Sequence, residues 1–259
     1  MSDEVLSERN GSLRIITLNR PDRHNAMDDA MSELFQRLLG DALEESESCA
    51  ILIRANGKSF CSGRDTNVLG HRARDESDFH FVRRHQEGRL RMQESTKPII
   101  AALKGGAIGG GCELALAADI RISDSTLKMA LPEINYGVLP DTGGTQMMTA
   151  LIGPSRTKYM VMSGERIDAP TALEWGAVDF VVEPEELDAG ALKIAQDIAA
   201  KPPLNLAMAK EMINLMHGAT IRTGTRAELY AQSYLFKTED YQEARAAIRE
   251  KRAPHYRGK

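Results

Sequence analysis

The sequence runs Lys104-Gly105-Gly106-Ala107-Ile108-Gly109-Gly110-Gly111-Cys112-Glu113 between two apolar stretches, residues 98–103 and 114–118. The first stretch predicts a buried strand and the second a helix, so the chain is expected to turn from strand to helix through these glycines. Glycines let a ligand approach the backbone without meeting a Cβ atom, and the first turn of a helix has unpaired N–H groups. The run therefore predicts a place where backbone N–H donors hold an anionic group.

Two glutamates are expected at this turn. Glu113 lies three residues after Gly110, which places its side chain one helical turn beyond the Gly110 N–H. Glu133 follows the next strand-like segment, in the sequence Ala130-Leu131-Pro132-Glu133. The sequence thus predicts that two carboxylates meet at one pocket lined by backbone amides.

A second amide-rich turn occupies residues 56–65, Asn-Gly-Lys-Ser-Phe-Cys-Ser-Gly-Arg-Asp, directly after the apolar strand at 50–53. Two such turns can each donate one N–H to the same oxygen atom. The structural alternative is that the glycines of the first turn only allow a helix to pack closely on a strand. Each glycine in a helix costs about 1 kcal/mol relative to alanine, so a functional role explains three consecutive glycines better.

Length and charge limit the kinds of partner. The chain has 259 residues and a formal net charge of −4, which predicts one large domain, or a core with an appendage, and gives no electrostatic reason to expect nucleic acid or an anionic membrane. It has no run of 18 or more apolar residues, and residues 1–10 are too polar for the apolar region of a signal peptide. We expect a cytoplasmic protein that binds neither nucleic acid nor membrane.

Other catalytic chemistries find little support in the sequence. Cys49, Cys61 and Cys112 lie in apolar segments, which is typical of reduced core thiols rather than of disulfides or a zinc site. Cys112 has no evident histidine partner, so a packed thiol is favoured over a nucleophile. The histidines at 71, 80 and 85 match no tight ligand spacing, so no metal site is predicted. P-loop, dinucleotide-binding, nucleophile-elbow and H-E-x-x-H motifs are absent.

Strand and helix patterns alternate along the first half of the chain, which predicts the α/β class. Apolar runs predict strands at 13–18, 50–54, 99–103 and 119–122, with an amphipathic helix between the first two. After about residue 142 helix patterns dominate, interrupted by one short strand at 178–182. Residues 203–252 are expected to be almost wholly helical.

With these segments in order, the chain resembles the crotonase family, also called the enoyl-CoA hydratase/isomerase superfamily. Any one of the matching motifs is weak, but together and collinear over nearly the whole length they are specific. They are residues 18–21 (Leu-Asn-Arg-Pro), 25–27 (Asn-Ala-Met), 60–65 (Phe-Cys-Ser-Gly-Arg-Asp), the glycine run through Asp119, Pro132-Glu133, 137–145 (Gly-Val-Leu-Pro-Asp-Thr-Gly-Gly-Thr), 175–178 (Trp-Gly-Ala-Val) and 256–259 (Tyr-Arg-Gly-Lys).

The resemblance implies a crotonase-like α/β spiral of repeated β-β-α turns over residues 1–200. It implies a C-terminal helical region, residues 201–259, that covers the site and contributes to a homotrimer or homohexamer. The implied substrate is an acyl-CoA, so coenzyme A is part of the substrate and no other cofactor and no metal are expected. The backbone N–H groups of Ser62 and Gly110 are expected to form an oxyanion hole for the thioester oxygen.

The resemblance also implies a reaction. In family members that hydrate a 2-enoyl-CoA, glutamates at the positions of Glu113 and Glu133 hold one water, add its hydroxyl to Cβ and protonate Cα. Simple isomerases of the family generally need only the acid that matches Glu133, so the presence of Glu113 favours an enoyl-CoA hydratase or the reverse dehydratase. A bland alternative is that Glu113 pairs with an arginine or that Glu133 lies on a solvated loop.

Asp141 leaves two other functions open. Some family isomerases place an acid at its position and a dehalogenase places its nucleophile there, so the alternative function is an acyl-CoA double-bond isomerase or hydrolase that uses Asp141. Equally, Asp141 precedes a helix pattern and is suited to cap it. A third hypothesis is a catalytically silent acyl-CoA-binding or RNA-associated protein that keeps the fold for interaction.

The resemblance further assigns residues to substrate binding. Arg23 and Arg64 are expected partners of the CoA phosphates, although both are equally compatible with ordinary surface arginines. Lys259 is expected to reach the CoA from a neighbouring subunit. The full set predicted to contact the substrate is Arg23, His24, Ala26, Ser62, Gly63, Arg64, Asp65 and Gly110.

Overall fold

Nine strands form two sheets in the computed structural model, which describes residues 3–71, 74–216 and 218–259. The larger sheet has the order β1-β2-β3-β4-β6-β9; β1 is antiparallel to β2, and the other pairs are parallel. The smaller sheet has the order β5-β7-β8. The strands are β1 (Val5–Asn10), β2 (Leu13–Leu18), β3 (Ala50–Ala55), β4 (Ile99–Leu103), β5 (Gly106–Ile108), β6 (Ile120–Asp124), β7 (Lys128–Ala130), β8 (Ile167–Asp168) and β9 (Phe180–Val182).

The helices of the described residues follow the strands in a repeating order. They are α1 (Asp29–Glu44), α2 (Asp78–Gln93), α3 (Gly110–Leu116), α4 (Gly144–Ser163), α5 (Ala169–Trp175), α6 (Leu187–Ala199), α7 (Pro203–Leu215), α8 (Ile221–Leu235) and α9 (Glu239–Glu250). The succession β4-β5-α3 is repeated by β6-β7-α4. In the two turns before them, single bridges that pair Met27 with Arg64 and Cys61 with Ala107 take the place of the second strand. This repeat confirms the predicted α/β spiral of β-β-α turns.

The central strands are buried on both faces, which explains their continuous apolar sequences. In β3, Ile51 and Ile53 pack in the main core with α1 residues such as Phe35. Ala50 and Leu52 point to the opposite face and pack in a second core with α6. The two-sided core gives the spiral a rigid centre, and the site residues project from the ends of its strands.

The predicted strands at 13–18, 50–54 and 99–103 are present, and the predicted helix between the first two is α1. Asp28 lies just before this helix, where its side chain accepts a hydrogen bond from the Met31 N–H at 2.9 Å. Strands β1, β5, β7 and β8 were not predicted. The glycine run is therefore not a simple strand-to-helix turn, because it contains the three-residue strand β5 before α3 begins.

The C-terminal region consists of α7, α8 and α9, and a buried lysine fastens its first helix to the core. Lys210 Nζ donates to the Met92 carbonyl oxygen at 2.9 Å and to Asp119 Oδ2 at 2.8 Å, with further bonds to Ser95 and Lys97. The division at residue 200 stays a prediction. In the described ranges no helix is long and apolar enough to cross a membrane, and the cytoplasmic location stays a prediction.

Replacing Lys210 with methionine is expected to lower the free energy of unfolding by about 3 kcal/mol, because Asp119 and two backbone carbonyls lose their buried cation. Chemical denaturation followed by circular dichroism measures the change. Lys193→Met is the matched control, since Lys193 pairs with Asp197 on the surface and such pairs contribute about 0.5 kcal/mol or less. Equal, small losses in the two variants would contradict the anchoring role.

Candidate active site

Glu113 lies on α3, one turn after Gly110, and its carboxyl group is held by the backbone of another segment. The residue is 2% exposed. Its Oε1 atom accepts hydrogen bonds from the Thr142 N–H at 2.8 Å and the Gly144 N–H at 3.0 Å. Its Oε2 atom has no hydrogen-bond partner among the described residues. The carboxyl is thus fixed in orientation by one oxygen while the other stays available.

Glu133 begins the 3-10 turn Glu133–Tyr136 and faces the glycine run. A Cβ atom placed on Gly109 would lie only 3.1 Å from Glu133 Oε1, and Gly109 has a φ of +56°. The backbone conformation at 109 favours glycine, and a larger residue there would also press on the carboxyl group of Glu133. The structure brings both glutamates to the glycine run.

The environment of Glu133 favours its protonated form. Burial, followed by the negative charges of Glu113 and Asp141, raises the pKa of Glu133 to about 7. Its Oε2 atom is buried and has no hydrogen-bond partner among the described residues. Glu133 can therefore give or take a proton near neutral pH.

Asp141 does not cap α4, which corrects one of the two roles open to it. The residue before α4 is Gly143, no side chain caps the helix, and the N–H groups at its start donate to Glu113 instead. Asp141 is exposed, but partial burial by surrounding atoms and the charge of Glu113 raise its pKa. Gln86 Nε2 of α2 donates to the Asp141 backbone oxygen at 2.8 Å, so this loop lies against α2.

The Ser62 N–H is not free to serve as the predicted donor, because it donates to the His24 carbonyl oxygen at 3.0 Å. The peptide bond between Gly63 and Arg64 has a different orientation. The Gly63 carbonyl oxygen accepts from the Met27 N–H at 2.8 Å, so the Arg64 N–H of the same trans peptide points the opposite way. Arg64 N–H has no acceptor among the described residues. The structure thus replaces Ser62 by Arg64 as the available donor on this turn.

Gly110 N–H, the other predicted donor, is the first N–H of α3 and has no acceptor in the described part of the chain. The two turns adjoin at this point, since a Cβ atom on Gly63 would lie 3.2 Å from the Gly110 nitrogen. Two unpaired backbone donors, Arg64 N–H and Gly110 N–H, therefore belong to neighbouring segments. This is the arrangement that an oxyanion hole requires.

Some side chains predicted to bind substrate are exposed, and others are buried or already paired with other residues of the chain. Arg23 and His24 are exposed, and His24 Nδ1 lies 3.0 Å from Ser59 Oγ. Ala26 is buried. Arg64 Nη1 is paired with Asp29 Oδ1 at 2.9 Å, and its guanidinium lies over the Phe81 ring.

Asp65 has a structural role in the turn. It is 5% exposed, and its carboxyl accepts from the Asn67 N–H at 3.0 Å and from Arg20 Nη1 at 2.9 Å. Arg20 also forms ion pairs with Glu4 and Asp28. The sequence analysis does not predict these ion pairs of Arg20, although Arg20 lies in the Leu-Asn-Arg-Pro motif. It holds the turn that carries the Arg64 N–H.

Arg89 is a further polar residue of the site that the sequence did not single out. It lies on the buried side of α2 and is 9% exposed. Its Nη2 atom lies 3.4 Å from the Gly110 carbonyl oxygen. Burial lowers the pKa of Arg89, and the charges of Glu113, Cys61 and Asp141 oppose that shift. In the sequence, Arg89 was one of many arginines in a solvated-looking segment, and nothing marked it as buried.

The buried cysteines have the properties of packed thiols. Burial raises the pKa of Cys61 to about 11, and burial together with the charges of Glu133 and Glu113 raises the pKa of Cys112 well above its ordinary value. A thiol that stays protonated at neutral pH is a poor nucleophile. The thiols at the glycine run are therefore unsuited to nucleophilic catalysis.

The comparisons with known proteins show the family of the chain. The sequence model of the family described as enoyl-CoA hydratase/isomerase matches residues 8–259. The chain belongs to the enoyl-CoA hydratase/isomerase family. It is 34% identical over 252 residues to a short-chain-enoyl-CoA hydratase of Clostridium acetobutylicum, with 96% of each chain covered. It is 32% identical to a 2,3-dehydroadipyl-CoA hydratase of Escherichia coli, with 99% of each covered.

A solved structure of the same family has the same fold. The enoyl-CoA hydratase of Bacillus anthracis superposes with a TM-score of 0.92 at 32% identity, and the match covers 99% of this chain and 100% of that one. The predicted crotonase fold and family are confirmed.

Proposed function

We propose that this protein is an enoyl-CoA hydratase, which adds water reversibly across the double bond of a 2-enoyl-CoA. The pairing of Glu113 with Glu133 carries the proposal, because one carboxyl is fixed by two N–H donors and the other has its pKa raised to about 7. Hydration needs both a base for water and an acid for carbon, and two carboxyls in different environments supply them. The hydratases among the relatives support the same function.

In the proposed reaction, the thioester oxygen accepts hydrogen bonds from the Arg64 and Gly110 N–H groups. Addition of hydroxide to Cβ moves electrons onto this oxygen and forms an enolate. Donors that are already in position stabilise that charge without reorganisation, and each contributes about 3 kcal/mol. The close contact of the two turns supports a shared role for these donors.

Glu113 acts as the base in this proposal and Glu133 as the acid. Water bound to Glu113 Oε2 gives a proton to that carboxylate as its oxygen bonds to Cβ. The protonated Glu133 then gives its proton to Cα, and the enolate becomes a saturated thioester. The desolvation of Glu133 supports its role, since a carboxyl with an ordinary pKa would be ionised at neutral pH.

Coenzyme A enters as part of the substrate, so the reaction needs no further cofactor. Arg23 and His24 are exposed beside the Arg64 turn and suit contact with the nucleotide end. The relatives act on different acyl groups by name, one short-chain and one dehydroadipyl. The identity of the acyl group therefore depends on residues outside the shared machinery.

The second candidate function is an isomerase or hydrolase that uses Asp141. The raised pKa of Asp141 and its exposed position near Glu113 favour this alternative over an inert loop residue. The hydratase requires the carboxyl groups of Glu113 and Glu133, whereas the isomerase or hydrolase requires that of Asp141.

We also propose that the chain assembles as a homotrimer or a dimer of trimers. The C-terminal helices expose large apolar side chains that a second chain can cover, which supports the assembly. The most exposed are Ile213 at 69%, Ile221 at 76%, Leu229 at 61%, Tyr230 at 73% and Ile248 at 77%.

Crotonyl-CoA is expected to lose its conjugated absorbance when it is mixed with the protein, and Glu113→Gln and Glu133→Gln are each expected to lower kcat about 1,000-fold. Asp141→Asn is the matched control and should stay within about tenfold of the parent protein. Loss of turnover in Asp141→Asn with much activity left in Glu113→Gln would favour the isomerase or hydrolase. Binding of acyl-CoA without turnover of any 2-enoyl-CoA would favour the silent binder.

The kcat/KM of hydration is expected to fall as the pH rises through about 7. The reaction uses the protonated form of Glu133, which is fully present below that pKa and is lost above it. Stopped-flow assays across a pH series measure the profile, and the apparent pKa belongs to the coupled pair of glutamates. A profile without a falling limb between about pH 6 and about pH 9 would contradict the acid role of Glu133.

Light scattering coupled to size-exclusion chromatography is expected to give three or six times the chain mass of 28.5 kDa. Tyr230→Glu and Ile248→Glu are expected to shift the mass toward one chain, because they place charges on faces that another chain covers. Lys193→Glu, on an exposed face of α6, is the control. A monomer in the parent protein would overturn the proposed assembly.

A further inference from the structure

The side chain of Arg89 is an unusual feature of the site because it is buried without an anionic partner. Only 9% of the residue is exposed, and its Nε atom is buried without a hydrogen-bond partner among the described residues. Within the same residues its side chain makes one hydrogen bond, the long contact of Nη2 to the Gly110 oxygen at 3.4 Å. No carboxylate of the described residues lies within ion-pair distance of it. A buried charge of this kind costs several kcal/mol unless an anion compensates it.

The neighbouring arginines of the same region are compensated. Arg64 Nη1 pairs with Asp29 Oδ1 at 2.9 Å, and Arg84 Nη2 pairs with Glu76 Oε1 at 2.7 Å. Both guanidinium groups lie over the Phe81 ring, at 5.0 and 5.7 Å from its centroid. Arg89 differs from these two because it forms no ion pair with a described carboxylate, and the charges of Glu113 and Asp141 act on it from beyond ion-pair distance.

Arg89 lies near the place where we expect the distal end of a bound acyl group. Carbonyl oxygens of a helix point toward its C-terminus, so the Gly110 oxygen points along α3 in the direction of Glu113. The thioester oxygen is proposed to bind Gly110 N–H, and Cβ to lie near Glu113. We therefore place the groups beyond Cβ on the side of α3 on which Arg89 lies, next to the Gly110 oxygen.

We propose that Arg89 binds a carboxylate at the distal end of the acyl group, so that the preferred substrate is the CoA thioester of a short unsaturated dicarboxylic acid. This inference rests on the proposed hydration and names its substrate class. Guanidinium groups match carboxylates in charge and in planar geometry, and they do so most strongly where water is excluded. An acyl group with an apolar end leaves Arg89 uncompensated.

Distances limit the length of this acyl group. The Arg89 Nη2 atom is 3.4 Å from the Gly110 oxygen, and the nitrogen and oxygen of one residue lie about 3 Å apart, so the guanidinium is within about 7 Å of the Gly110 N–H. An extended six-carbon chain spans about 6 Å between its end carbons. A dicarboxylic acyl group of about four to six carbons fits this spacing.

The charges around Arg89 come from several elements. Asp141 and Glu113 are the acids whose charges reach it, from the loop before α4 and from α3. On its own helix Arg84 and His85 face the same region, and Arg64 faces it from the neighbouring turn. Burial lowers the pKa of His85, and the charges of Arg84, Arg64 and Arg89 lower it further. Arg64 and Arg84 are paired with carboxylates, and neither Glu113 nor Asp141 forms an ion pair with Arg89 in the described part of the chain.

Two substrates of equal chain length test the proposal. The CoA thioester of 2-hexenedioic acid carries the distal carboxylate, and that of 2-hexenoic acid carries a methyl group in its place. The parent protein is expected to hydrate the dicarboxylic substrate with a kcat/KM at least about tenfold higher. Equal values, or a preference for 2-hexenoyl-CoA, would overturn the proposal while leaving hydration intact. Failure to hydrate either compound or crotonyl-CoA would instead overturn the proposed function.

Variants at Arg89 test whether this residue causes the preference. Arg89→Met is expected to reduce the ratio of the two kcat/KM values to about one, and Arg89→Lys to keep part of it. A ratio measured on one preparation does not depend on how much of the variant folds. Arg83→Met is the matched control, because Arg83 lies on the exposed face of α2 and pairs only with Glu87. A preference that persists in Arg89→Met would overturn the role of Arg89.

Binding of a saturated ligand gives a readout that needs no turnover. Adipyl-CoA is expected to bind the parent protein at least about tenfold more tightly than hexanoyl-CoA in calorimetry, and this difference is expected to vanish in Arg89→Met. The monomethyl ester of adipyl-CoA retains the carbonyl oxygen and removes the charge. If the ester binds as tightly as the acid, the proposed carboxylate subsite is wrong.

Discussion

Two backbone hydrogen bonds between neighbouring turns of the spiral hold the candidate site together. Cys61 N–H donates to the Gly106 oxygen, and Ile108 N–H donates to the Cys61 oxygen, both at 3.0 Å. These bonds set Cys61 opposite Ala107. Arg64 and Gly110 each follow this bridge by three residues, so the bridge fixes the position of one proposed donor relative to the other.

The bridge and the strands before it position both turns, so the site does not depend on a long sequence motif. Both turns follow strands of the same sheet, β3 and β4, whose ends are held by apolar packing on two faces. Two groups with proposed roles in the reaction reduce stability, because Glu133 and Arg89 hold buried polar atoms that have no hydrogen-bond partner among the described residues. The two-sided core offsets that cost, and it keeps the two turns from separating.

Much of this arrangement was predictable from the sequence. Long apolar runs gave β2, β3 and β4, and the spacing of Gly110, Glu113 and Glu133 placed both acids at the glycine run. Strands of two or three residues such as β5 and β8 carry too few side chains for a periodic pattern. They exist because a neighbouring segment pairs with them, which a single stretch of sequence does not reveal.

The predicted donor at Ser62 was wrong, and the structure excludes one of the two roles that the sequence left open for Asp141. The donor on the turn at residues 56–65 is available at Arg64 rather than at Ser62, because Gly63 has a φ of +89° and changes the side toward which the next peptide points. Asp141 has the residue type of a helix cap, but Glu113, 28 residues earlier in the chain, already accepts the N–H groups at the start of α4. Residue type indicates what a side chain can do, and tertiary contacts decide which side chain does it.

Glu113 Oε1 accepts two backbone hydrogen bonds, and these bonds show which part of the side chain the fold requires. The N–H groups of Thr142 and Gly144 require only an acceptor oxygen, and the carboxamide of a glutamine offers one of the same shape. Folding alone would thus tolerate either residue at this position. The two hydrogen bonds do not need the acidic group that glutamate adds, and burial makes such a group costly.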